Sequence, residues 1–144
     1  MIIPDVNLLL YAEIAAHPLH SRARDWWEET LNGERAVGLP PVCIFGFIRI
    51  STNRRVFRDP LTTKDAVGRV ERWLEQEVTT FLVPGSRHLP LAFGLLERLG
   101  TGANLTTDVQ IAAHALEQQA EVYSNDRDFA RFEGLRWVNP LDAS

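Results

Sequence analysis

The first eleven residues constrain the fold most. Met1-Ile2-Ile3-Pro4 is a short apolar run that ends abruptly in Asp5, and Val6, Leu8, Leu9, Leu10 and Tyr11 then resume the apolar pattern as a helix. A strand running straight into a helix, with a carboxylate at the crossover, places charge at the carboxyl edge of a parallel sheet, where open α/β sheets bind ligands. Pro4 fits the end of a strand, since it cannot sit inside a central one. Two later stretches repeat this logic. Asn104-Leu105-Thr106-Thr107-Asp108 opens a helix, and Tyr123-Ser124-Asn125-Asp126-Arg127-Asp128-Phe129 follows a strand.

The rest of the chain alternates in the same way. Strands are expected over 1–4, 36–39, 79–83, 121–124 and 135–138, and helices over 6–15, 21–31, 41–52, 62–77, 89–99 and 106–119. Asn32-Gly33 and Gly100 read as helix stops. Thr62 or Thr63 reads as an N-cap, and Thr106 or Thr107 as another. The 41–52 helix starts at Pro40-Pro41 and is apolar nearly all round, so it is expected to be buried, with Arg49 as its one charge. Short strands separated by helices predict an α/β fold: a central parallel sheet of about five strands, covered by helices on both faces. No repeat or linker divides the chain, so residues 1–144 read as one domain.

Composition excludes several classes. The chain has 144 residues, of which 45% are apolar, enough for a real core. No apolar run approaches a membrane span. The N-terminus has no basic leader, and the single cysteine, Cys43, permits no internal disulfide. These features suit a cytoplasmic protein. The net charge of −4 argues against bulk attraction to nucleic acid. Lys64 is nevertheless the only lysine, and Arg49, Arg54, Arg55 and Arg58 lie close together. Their guanidinium forks match phosphate geometry, although the run reads equally well as a solvated face with internal ion pairs.

Each acidic residue has a bland explanation on its own. Asp5 could cap a helix, Asp108 could favour a helix dipole, and Asp126 and Asp128 could shape a turn. Together they say more, because all such junctions of a parallel sheet share one edge. Crowded carboxylates there favour protonation unless a cation neutralises them. With no His or Cys in these stretches, a hard cation such as Mg²⁺ fits best. A hydrated Mg²⁺ suits phosphodiester chemistry, provided that arginines such as Arg49, Arg54 and Arg55 hold the phosphates against the acidic pocket. His17, His20 and His88 read as surface or capping residues, His114 as core or surface, and Cys43 as a buried apolar residue. The tryptophans Trp26, Trp27 and Trp73 read as packing residues; Trp137 is open to stacking on an unpaired base.

The segments Ile3–Tyr11, Phe47–Asn53 with Arg54–Phe57, Asn104–Ala113, Ser124–Phe129 and Phe132–Trp137 together resemble a PIN-domain protein, in particular a VapC-like toxin of a bacterial toxin–antitoxin pair. The resemblance implies a compact parallel-sheet fold and Mg²⁺- or Mn²⁺-dependent endoribonuclease activity on RNA such as tRNA or rRNA. It also implies inhibition by a small VapB-like antitoxin, and a homodimer. By position, Asp5, Asp108 and Asp126 would be the catalytic metal ligands, with Asp128 accessory. Asn7, Thr107 and Ser124 would hydrogen-bond and orient those carboxylates.

The chain departs from the family pattern in one respect. Such proteins usually carry an acidic residue, commonly Glu, on the helix that here spans 41–52, and this helix has none. Gly46 stands near the expected place. This opens a second reading, a degenerate PIN domain that binds RNA or a partner without cutting. A third reading, a phosphatase of the haloacid dehalogenase type, needs a second Asp two residues beyond the first, where this chain has Asn7.

Overall fold

The computed structural model describes residues 1–142. Five short strands, β1 (Ile2–Pro4), β2 (Val37–Leu39), β3 (Thr79–Phe81), β4 (Glu121–Tyr123) and β5 (Arg136–Val138), form one sheet. Its order is β3-β2-β1-β4-β5, and every pairing is parallel. Six helices connect them: α1 (Val6–Glu13), α2 (His20–Leu31), α3 (Pro41–Ser51), α4 (Thr63–Leu74), α5 (His88–Leu99) and α6 (Thr106–Gln118). All the expected strands and helices are present, with bounds that differ by a few residues at the ends.

The strand order carries the functional consequence. From β1 the chain steps outward to β2 and β3, then returns to the other side of β1 for β4 and β5. Right-handed crossovers in opposite directions place their helices on opposite faces. The reversal opens a crevice between the carboxyl ends of β1 and β4, which is where such sheets take ligands. Asp5 follows β1 directly, and Ser124 follows β4.

The core explains the local choices. β1 and β2 are buried at every residue, as central parallel strands must be, whereas β3 and β5 are partly exposed at the edges. Trp27 meets Trp73 edge-on with ring centroids 5.7 Å apart, and Trp73 meets Phe47 at 4.8 Å. Trp26 stacks on Tyr123. Cys43 is buried and free. Thr62 caps α4, its Oγ1 accepting from the Asp65 amide at 3.1 Å, and Gly100 ends α5 at a φ of 74°.

Two expectations fail. Thr106 and Thr107 do not cap α6. A 3-10 turn over Ala103–Leu105 feeds the helix, so Leu105 already has near-helical angles and Thr106 Oγ1 donates instead to the Ala103 carbonyl at 3.0 Å. A side-chain cap needs an extended residue at that point. His88 is not on the surface. It is buried in the α5–α6 contact against His114, with ring centroids 4.2 Å apart.

Gly46 has a packing role. A Cβ there would lie 2.9 Å from Val6 Cγ2, so the missing side chain lets α3 approach α1. An acidic side chain at this position would displace the residue next to Asp5. Gly46→Ala is expected to cost about 1–3 kcal/mol of stability through overpacking. Urea denaturation checks this, and Val6→Ala in the same chain is expected to recover most of the loss.

Candidate active site

Asp5 sits at the N-cap position of α1, yet its side chain makes no capping hydrogen bond. It turns instead into the crevice between β1 and β4, where Ser124 Oγ donates to its Oδ2 at 2.7 Å. Ser124 Oγ also accepts from the Asp126 amide at 2.9 Å, and Asp126 Oδ1 accepts from the Asp128 amide at 2.9 Å. A relay of short hydrogen bonds thus ties the end of β1 to the turn after β4. Trp137 on β5 steadies that turn, its indole N–H donating to the Ser124 carbonyl at 2.8 Å.

Helix α6 delivers the remaining acid. Asp108 lies in its first turn, and its carboxylate joins those of Asp126 and Asp128 in a cluster whose oxygens lie within 4.8 Å of one another. Asp5 stands just outside that tightest group, coupled to it through Ser124. The structure therefore brings all four sequence-identified acids to one sheet edge, with Asp128 more central than its accessory assignment. Thr107 is exposed, and Asn7 is half-buried on α1; among the described residues, neither side chain hydrogen-bonds the carboxylates.

Burial and mutual repulsion raise the carboxyls of this site. Asp5 is only 4% exposed, and burial pushes its carboxyl up to about 6. The hydrogen bond from Ser124 and the nearby amides of Val6 and Asn7 oppose the rise, while Asp126 adds to it. Asp108 is pushed up to about 7, by burial first and then by repulsion from Asp5, Asp126 and Asp128. Among the described residues, no Lys or Arg pairs with Asp5, Asp108 or Asp126; Asp128 alone has a cationic partner, Arg131 at 3.7 Å. A cluster of oxygen donors whose one counter-charge among the described residues is the exposed Arg131 fits a hard divalent cation.

The arginines expected to hold phosphates do not neutralise the acids. Arg49 is exposed on α3 and shares a cleft with Gly46 and Thr107. Arg54 and Arg55 are exposed in the turn after α3. None of the three pairs with a carboxylate among the described residues.

Sequence reasoning missed Tyr11 and Asn125. The Tyr11 phenol is pushed up by burial first; Asp5 and Asp126 add to the shift, and the Asn125 side chain opposes it. The signal was available, because Asn7 and Tyr11 are four apart on α1 and share a helix face.

The comparisons with known proteins agree with this geometry. The sequence model of the PIN domain matches residues 2–135. Ribonuclease VapC33 of Mycobacterium tuberculosis is 52% identical over 141 residues, covering 98% of this chain and 99% of the relative. Ribonuclease VapC43 of the same species is 40% identical over 142 residues, covering 99% and 97%. Among solved structures, VapBC-1 from nontypeable Haemophilus influenzae aligns over 99% of this chain and 100% of that one, with a TM-score of 0.70 and 18% identity. VapC20 of Mycobacterium tuberculosis, described as a sarcin-ricin-loop-cleaving toxin, aligns over 90% and 93% with a TM-score of 0.69 and 17% identity. At those identities the structural likeness speaks for the fold alone. With its family match, its close VapC relatives and its acids gathered at the sheet switch point, the chain belongs to the PIN-domain family, among the VapC ribonucleases of toxin–antitoxin systems.

Proposed function

We propose that this protein is a Mg²⁺-dependent endoribonuclease, with Mn²⁺ as an alternative ion, acting on exposed segments of structured RNA such as tRNA or rRNA. The observation that carries the reading is the Asp108–Asp126–Asp128 cluster beside buried Asp5, four carboxylates with one weak internal cation among them. Asp108, Asp126 and Asp5 would hold the ion, with Asp128 completing the acidic wall. When bound, such an ion polarises a phosphoryl oxygen and lowers the pKa of a water.

The chain's own residues supply the rest. Ser124 holds Asp5 in one orientation and sets the Asp126 amide, so the two strand ends keep a fixed spacing. Pre-set carboxylates avoid reorganisation during the reaction. Arg49 and the Arg54–Arg55 turn hold the RNA backbone through phosphate contacts, which position without reading sequence. The carboxylates accept the proton released by the attacking water as a coupled group.

A VapB-like antitoxin is the proposed regulator, covering the crevice and presenting cationic side chains to the unpaired acids. A homodimer is proposed as well. It is supported by Phe45 on α3 and Leu89 and Phe93 on α5, which stand 67%, 59% and 55% exposed. Among the described residues, no helix is long and apolar enough to cross a membrane.

The test is cleavage of purified total tRNA and of rRNA with Mg²⁺, Mn²⁺ or EDTA. Discrete products with either ion and none with EDTA are expected. RNA that is bound and left intact with both ions would favour the binding-only reading raised by Gly46.

A further inference from the structure

A hollow of about 240 Å³ opens along α1, between that helix and the end of α3 with the turn that follows it. Its walls include Asn7, Tyr11, His17, Ile50, Val56 and Phe57. Tyr11 and His17 lie flat against each other, with ring centroids 3.9 Å apart at 15°. The hollow and the acid cluster are neighbours, since Asn7 is two residues from Asp5 and the Tyr11 phenol lies in the field of Asp5 and Asp126.

The far wall is an ordered turn. The amides of Val56 and Phe57 both donate to the Asn53 carbonyl, at 3.0 and 3.1 Å, and the Arg55 amide donates to Asn53 Oδ1 at 2.9 Å. The Leu61 amide closes the loop on the Ser51 carbonyl at 2.9 Å. Val56 is nevertheless 53% exposed. Arg54, Arg55 and Arg58 flank it, all exposed and, among the described residues, without a carboxylate partner.

We propose that this hollow receives one unstacked nucleobase of the RNA, from the nucleotide next to the phosphate that is cut, while Arg54, Arg55 and Arg58 hold the adjoining phosphates. The inference rests on the nuclease reading and adds the source of its sequence preference. Three features carry it. The hollow is smaller than the roughly 300–1,000 Å³ of pockets that bury drug-sized ligands, which suits a single ring system. Its walls set the Phe57 ring, the mutually stacked Tyr11–His17 pair and the Asn7 side chain among apolar residues that include Leu10 and Ile14, and proteins hold splayed bases by ring contacts and amide hydrogen bonds. The exposed Arg54, Arg55 and Arg58, next in sequence to the wall residues Val56 and Phe57, have no carboxylate partner among the described residues, and such free guanidinium forks favour an anionic polymer.

The test reads binding, so that it stands apart from catalysis. Asp108→Asn protein is mixed with a labelled single-stranded RNA 12-mer carrying one 5-iodouridine, moved along the strand, then irradiated and mapped by peptide mass spectrometry. Crosslinks to Tyr11 or Phe57 are expected from one register. An abasic nucleotide at that register is expected to weaken binding about five- to hundredfold, the range of one base–aromatic stack. Val56→Glu is expected to weaken it at least about fivefold, by repulsion at the rim. Val67→Glu, on the exposed face of α4, serves as the control and is expected to leave it within twofold. Crosslinks confined to other elements, or affinity unmoved by both the abasic site and Val56→Glu, would overturn the proposal. Protection of Val56 and Phe57 by a bound protein segment, with RNA affinity unchanged by Val56→Glu, would give the hollow to a protein instead. Crosslinks at Tyr11 or Phe57 in a chain whose wild type never cuts would leave the base pocket standing and sink the nuclease reading alone.

Discussion

Asp108→Asn is expected to lower RNA cleavage by about a hundredfold or more, a loss of at least about 2.7 kcal/mol of transition-state stabilisation. The physical reason is the position of Asp108 in the cluster. It is the acid that α6 brings against Asp126 and Asp128, and repulsion from the other three acids contributes to raising its carboxyl to about 7. A neutral amide removes both a ligand oxygen and the negative field that draws the cation. The fold itself should survive, since Asp108 makes no ion pair among the described residues and makes no capping bond for α6. Steady-state cleavage of a labelled RNA, with circular dichroism as the folding control, checks the expectation. The ligating carboxylate must be deprotonated, so activity is also expected to fall as pH drops below about 7.

Asp5→Asn is expected to act oppositely on two properties, abolishing cleavage while stabilising the metal-free protein. Burial raises the Asp5 carboxyl from 3.8 to about 6. Between those values the native state binds more protons than the unfolded chain, so stability falls as pH rises through that window and stays low above it. The cost at pH 8 is at most about 3 kcal/mol. Asn cannot ionise, and its carbonyl can still accept from Ser124. With part of the gain offset by the new amide N–H groups, a rise in Tm of roughly 3–6 °C is expected at pH 8. The difference should vanish near pH 3, below both values, where Asp5 is largely protonated in the folded and the unfolded state. Excess Mn²⁺ should reverse the order at pH 8, because only the wild type gains stability from the ion. Scanning calorimetry at the two pH values, with and without Mn²⁺, measures all of this.

The substitution expected to stabilise the protein is also the one expected to disable it. A buried acid without a cation partner weakens the fold, and proteins retain such groups where function needs them. The same tension runs through Gly46. Its absent side chain brings α3 against Val6, the residue next to Asp5.

Most of the architecture was legible because each element announces itself by period and punctuation. The buried strands Ile2–Pro4 and Val37–Leu39 are continuous apolar runs, and Gly100 and Thr62 mark helix ends by backbone freedom and side-chain capping. Asp5, Asp126 and Asp128 were legible because they follow the strands β1 and β4, whereas Asp108 follows α5 and a 3-10 turn rather than a strand and reaches the same edge through the first turn of α6. What stayed hidden depends on distances between segments remote in sequence. The relay from Asp5 to Ser124 spans 119 residues, and the pairing of His88 with His114 requires α5 and α6 to be in place. The caps expected at Thr106 and Thr107 failed because the 3-10 turn before them had already set helical angles. That Asp126 and Asp128 both face Asp108 follows from a tight turn whose hydrogen bonds run within it, which residue identity alone does not disclose.

The most direct test of the central claim, that these carboxylates form one cation site, is calorimetric titration of Mn²⁺ into wild type and Asp108→Asn at pH 6 and pH 8, repeated in buffers of different ionisation enthalpy. The account predicts saturable binding to the wild type that is tighter at pH 8, with net proton release at pH 6 and much weaker binding to Asp108→Asn. Binding of equal strength at both pH values, without proton release and unchanged by Asp108→Asn, would contradict it.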